Sequence, residues 1–198
     1  MKIQILISIT FLLLTPQVLA EKVEVVAQYV FQQVEKELTD LKVNDRLNLL
    51  SVNELVTKSI MPHTDRKYFT YKVLGKSLEK LSQSEKDQFV DLLSANLSAS
   101  YANSLINYKQ EKIVITNTLL APSKKIASVT MKLIGNSKET GLTTKWRYVD
   151  QSNKWLMFDL TVEGISLLQT KQKEIGQSIA KTGIKETITK LQLKLNKS

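Results

Sequence analysis

Residues 142–168 read LTTKWRYVDQSNKWLMFDLTVEGISLL, and this stretch decides the fold. Trp146 and Tyr148 alternate with Lys145 and Arg147. A polar break, Asp150-Gln151-Ser152-Asn153, then leads to Trp155 and to Leu156, Phe158, Leu160 and Val162 at every second position. Side chains two apart on a strand share a face, so the pattern predicts a β-hairpin with one apolar face. Glu163-Gly164 ends the second strand. Ser166 and Gln169 have the spacing of a capping box, in which a hydroxyl and an amide satisfy backbone N–H groups at a helix start. Large aromatics on strands serve a filled core as readily as a ligand site, and the hairpin alone leaves both readings open.

Working outward, Lys112–Leu120 and Ile126–Ile134 also alternate, the second with Ala127, Val129, Met131 and Leu133 on one face, and Ala121-Pro122-Ser123 separates them. With the hairpin they make a four-stranded antiparallel meander. Upstream, the apolar residues Val23, Val26, Val30, Val34, Leu38 and Leu41 are spaced by three and four, which predicts one long amphipathic helix. Asn44 is placed to cap a short second helix, and Ser51 with Glu54 forms a capping box before a helix stopped by Pro62. Thr64–Leu81 reads as helical with Gly75 loosening its middle. Ser82 and Glu85 then cap a helix carrying Phe89, Leu93, Leu97, Tyr101, Leu105 and Tyr108. The chain closes with a helix from Ser166 to about Thr182, a break at Gly183, and a basic last helix.

Met1–Ala20 has Lys2, an apolar run from Ile3 to Leu14 interrupted by Gln4, Ser8 and Thr10, then Pro16 and the small-residue ending Val18-Leu19-Ala20. That is the pattern of a Sec-type signal peptide cut after Ala20, leaving 21–198 as a single domain. The formal charge of +9 falls to +8 without Lys2, the one charged side chain in residues 1–20. An exported basic chain makes nucleic acid the least fitting partner, against anionic lipid surfaces or acidic proteins. With no cysteine, a lipid anchor on cysteine and a disulfide framework are both excluded.

Catalytic chemistry finds little to use. His63 is the single histidine and stands beside Pro62, no G-x-S-x-G elbow presents a serine, and one histidine without cysteine makes a poor zinc site, so no metal is expected. Asp159 is the candidate base if the chain is a small hydrolase or isomerase, a role that would need it desolvated in a pocket.

Several segments carry a family resemblance in their order and spacing. They are Pro62-His63-Thr64-Asp65, Val73-Leu74-Gly75, Phe89, Tyr101-Ala102, Lys145-Trp146-Arg147, Trp155, Phe158-Asp159, Val162-Glu163-Gly164-Ile165-Ser166 and Thr170-Lys171-Gln172. Together they resemble the MlaC family of periplasmic phospholipid-binding proteins, also called toluene-tolerance auxiliary proteins. The resemblance implies an α+β fold: a curved four-stranded antiparallel sheet wrapped by about six to seven helices, with an apolar lipid cavity between the layers. It also implies a monomeric, non-enzymatic periplasmic carrier whose cargo is a phospholipid and which has no other cofactor. Its implied partners are an outer-membrane Mla lipoprotein complex and the inner-membrane MCE-domain subunit of the Mla ABC transporter, so that outer-membrane lipid asymmetry is maintained.

The physics of such cargo is demanding. Two acyl chains hold about thirty methylenes, so exposing them to water costs on the order of 24 kcal/mol. A carrier must enclose the tails, while the headgroup can stay wet. On this reading the lipid-lining residues are Val129, Met131 and Leu133 on the second strand and Leu156, Phe158, Leu160 and Val162 on the fourth. Trp146 and Tyr148 stand at the mouth, where polar-tipped rings suit a boundary. Lys171, Lys173, Lys181, Lys185, Lys190 and Lys194 on the C-terminal helices form the surface for docking partners.

Overall fold

A computed structural model describes residues 22–135 and 139–195; the signal peptide expected at residues 1–20 lies outside the described residues. The sheet runs β1 (Lys112–Leu120), β2 (Ile126–Ile134), β3 (Glu139–Val149), β4 (Lys154–Val162) and β5 (Ile165–Ser166), in that spatial order and antiparallel throughout. The expected meander is present with one more strand. Glu163 and Gly164 both take positive φ, 49° and 80°, which reverses the chain tightly enough for Ile165 and Ser166 to pair back on β4. A two-residue strand has no periodicity to read.

Among the described residues there are six α-helices: α1 (Val23–Val43), α2 (Leu49–Leu55), α3 (Arg66–Leu74), α4 (Gln83–Leu105), α5 (Leu167–Thr182) and α6 (Ile184–Leu195). In α1 the buried stripe is Val23, Ala27, Val30, Phe31, Val34 and Leu38. In α4 the buried large residues Phe89, Leu93, Leu97 and Tyr101 fall four apart, and Ser82 and Glu85 cap its start reciprocally. The second helix is capped by Asn48 rather than Asn44. Ser51, read as a cap, is instead the residue whose amide and hydroxyl answer Asn48. The helix expected across Thr64–Leu81 breaks at Gly75, whose φ of 50° and ψ of −126° leave the helical region, and 3-10 turns continue to Lys80.

The helices meet the sheet through residues 62–65. Asp65 N–H donates to the Met157 carbonyl at 2.7 Å, and Thr64 bridges to Met157. The Asp65 carboxylate accepts from Tyr68 N–H at 3.0 Å and from Arg147 Nε at 2.5 Å. Arg147 in turn lies over the Tyr68 ring, whose edge meets Phe158. Backbone, charge and ring contacts therefore converge on one point of β4.

Candidate functional site

Register assigns the sheet residues to rows across its inner face. Ile113, Leu133 and Thr140 form the first row; Ile115, Met131, Leu142 and Val162 the second; Thr118, Val129, Thr144 and Leu160 the third; and Ala127, Trp146 and Met157 the fourth. A cavity of about 240 Å³ opens over the first rows and along β4. Its sheet wall is Ile113, Leu133, Leu142, Leu160, Val162 and Met157. Its helical wall is Phe31, Val34 and Leu38 of α1, Ile60, and Tyr101 and Leu105 of α4. Polar groups stand at its rim, where Ser104 and Asn107 are exposed and Glu111 and Thr140 half-buried.

Two phenols reach this space. Burial pushes the Tyr101 hydroxyl well above its ordinary value of 10.0, and the negative charge of Asp159 adds to the effect. For Tyr108 burial again leads; a hydrogen bond with Thr39 opposes it, and Glu35 and Glu111 add repulsion. Both phenols therefore keep their protons at neutral pH, and Tyr108 spends its own by donating to the Glu111 carbonyl at 3.1 Å. The site presents methyl groups and neutral hydroxyls, which suits an apolar occupant with a polar end.

Of the nine predicted lining residues, Leu133, Leu160 and Val162 meet at the cavity. Val129 and Met131 share their face but are fully buried in the core. Leu156 and Phe158 are turned away because β4 carries a bulge: Lys145 pairs with Asp159 but Trp146 with Met157, which leaves Phe158 without a partner. One extra residue reverses the alternation, so Trp155 and Met157 take the inner face. The rings proposed for the mouth are also elsewhere. Trp146 is 0% exposed, opposite the small Ala127, with its Nε1–H donating to Thr144 Oγ1 at 2.8 Å. Tyr148 packs edge-on to Trp155 near the β3–β4 turn, its hydroxyl 3.3 Å from Asn153.

A model of the MlaC protein family matches residues 28–193. The chain belongs to the MlaC family. It is 25% identical to a Haemophilus influenzae protein named intermembrane phospholipid transport system binding protein MlaC, over 93% of this chain and 89% of that one. Its fold is also that of a phospholipid-binding protein from Ralstonia solanacearum solved in complex with a phospholipid. The TM-score is 0.78 at 20% identity, covering 89% of this chain and 98% of the other.

Membership in the MlaC family sits with the placement of Asp159, the base of the enzyme reading. Its carboxylate is 1% exposed and accepts from the Ser166 hydroxyl, at 3.0 and 2.8 Å, and from Leu168 N–H at 3.0 Å, with Lys145 Nζ 3.8 Å away. It ties β4 to the start of α5 and lies outside the cavity lining. Among the described residues no group of His, Cys, Asp and Glu could hold a metal ion, and no helix is long and apolar enough to cross a membrane.

The lysines separate likewise. Lys173, Lys181, Lys185, Lys190 and Lys194 are exposed, whereas Lys171 is buried beside Leu168 and Ile175 with its ammonium 2.9 Å from Glu174. Burial pushes the Glu174 carboxyl up, but hydrogen bonds and charge from Lys171 and Lys194 outweigh it and hold the group below its ordinary value. Lys171 is therefore a structural residue of the MlaC chain rather than a docking one. Sequence reasoning missed the helical half of the site. Val34 and Leu38 were legible as part of a buried stripe, but nothing in its spacing separates core from cavity wall, and Phe31 stood outside the stripe as read.

Proposed function

We propose that the chain is a periplasmic phospholipid carrier, exported after cleavage at Ala20, that encloses acyl chains and moves lipid between outer-membrane and inner-membrane Mla complexes as a monomer. The observation that carries this reading is the apolar cavity between sheet and helices in a member of the MlaC family. Its volume of about 240 Å³ falls below the roughly 300–1,000 Å³ of pockets that enclose drug-sized ligands. Loading two chains therefore requires α1 and α4 to move off β1–β4 at the cavity end. The exposed lysines of α5 and α6 supply the steering charge for membrane-bound partners, and reversing three of them to Glu is expected to slow association and flatten its salt dependence.

The test is organic extraction and mass spectrometry of protein purified without denaturant. Wild type is expected to yield phospholipid, and Leu160→Trp, which fills the cavity, to yield none. A wild-type protein that neither carries nor takes up lipid overturns the proposal.

A further inference from the structure

A second, open hollow of about 330 Å³ lies between α1 and β1, lined by Gln28, Phe31, Gln32 and the first residues of β1 from Lys112 to Ile115. Phe31 and Ile113 line both this hollow and the cavity, so their side chains are the partition between the two spaces. Glu35 of α1 helps hold that partition, its Oε2 accepting from Ile113 N–H at 3.4 Å. The chemistry changes sign across it. Among the described residues Glu111 is the one charged residue lining the cavity, whereas its chain neighbour Lys112 is the one charged residue lining the hollow.

We propose that the hollow seats the phosphate-bearing headgroup of the cargo and the cavity its tails, the Phe31 and Ile113 side chains parting on loading to form the neck between them. The inference rests on the carrier reading above. A phosphodiester carried at the cavity rim meets the carboxylate of Glu111. In the hollow it meets the ammonium of Lys112 and the carboxamides of Gln28 and Gln32, which stand one helical turn apart on an exposed face. Hydrogen bonds to a charged oxygen are roughly twice as strong as neutral ones. Among the described residues these three side chains have no protein hydrogen-bond partner, so their donors are available. The hollow is open to water, as a headgroup tolerates, while the cavity beyond the neck is walled mainly by apolar side chains.

Lipid transfer from vesicles is measured with a fluorescent phosphatidylglycerol and with a diacylglycerol bearing the same chains, for wild type, Lys112→Glu and Lys112→Arg. Wild type is expected to hold the phospholipid about tenfold more tightly than the diacylglycerol. Lys112→Glu is expected to lose about that factor for the phospholipid alone, and Lys112→Arg to keep it. An unchanged ratio in Lys112→Glu overturns the inference while leaving the carrier reading standing, whereas uptake of neither lipid by wild type overturns the carrier reading itself. Inorganic phosphate that binds wild type but not Lys112→Glu, with the lipid ratio unmoved, makes the hollow a site for free anions and overturns the inference. So does a variant that takes up lipid normally yet fails to bind a protein partner, since the hollow is then a docking surface.

Discussion

The two ends of the sheet's inner face use the same alternation to opposite effect. At one end Trp146 fills the space above Ala127 completely, and residues 62–65 lock onto β4 through Asp65, Met157 and Arg147. At the other end Leu133, Leu160 and Val162 stand half-buried around a cavity, and α1 reaches β1 and its preceding loop through side chains, Glu35 to Ile113 N–H, Lys42 to the Tyr108 carbonyl and Thr39 to the Tyr108 hydroxyl. Met157 belongs to both, with its carbonyl in the clamp and its side chain in the cavity wall. The contrast teaches that a strand's apolar face becomes core or container according to how closely the helical layer is tied down over it. On the proposed carrier function the tied end is the fixed base and the other the end that parts.

The largest test of this contrast removes a side chain at each end. Trp146→Ala is expected to cost about 3–5 kcal/mol in denaturant unfolding, because a fully packed ring leaves a void. Leu160→Ala, already against a cavity, should cost about 1 kcal/mol. Equal losses would mean the two ends are packed alike.

Adding volume asks the converse question. Val129→Trp overpacks a filled row and is expected to cost about 1–3 kcal/mol. Leu160→Trp in lipid-free protein should leave the thermal midpoint near that of wild type, since the ring enters open space. A comparable drop in both variants breaks the comparison.

The clamp is probed by Asp65→Asn, which keeps a side chain able to cap α3 but removes the charge facing Arg147. A loss of about 1 kcal/mol is expected for this partly exposed pair, read from the same unfolding curves. Unchanged stability would assign the tie to the Asp65–Met157 backbone bond alone.

The smallest effect is a pH dependence at the same end. Burial lowers the His63 pKa below its ordinary 6.5, with Lys154 contributing, so the folded state disfavours the imidazolium. The unfolded chain takes up the proton first, and stability should fall modestly as pH drops from 6.5 through the lower folded value. The step should be missing from His63→Gln; a wild-type profile flat across that range removes the effect.

Much of this was written locally. The strands from Lys112 to Val162 and the helices α1 and α4 follow from periods of two and of three to four, because a segment that buries one face must repeat its apolar residues at the pitch of its backbone. The family was legible too, in short segments strung in order from Pro62 to Gln172. Even Lys171 had a local signal, since it falls on the stripe of Leu168 and Ile175, and a lysine stem is buried readily when its ammonium finds a carboxylate. The bulge at Phe158 had none: alternation reads straight through it, and only pairing with β3 shows that one residue is left over.

What the sequence by itself determined is therefore which residues leave water. Burial of an apolar side chain is favourable whatever it packs against, so composition and period are enough to select it. Which buried residues touch one another and which border a space was decided by tertiary structure alone. That depends on the distance at which the Asp65 clamp holds the helices over β4 and on how far α1 and α4 stand from β1, and these are properties of contacts between residues remote in the chain.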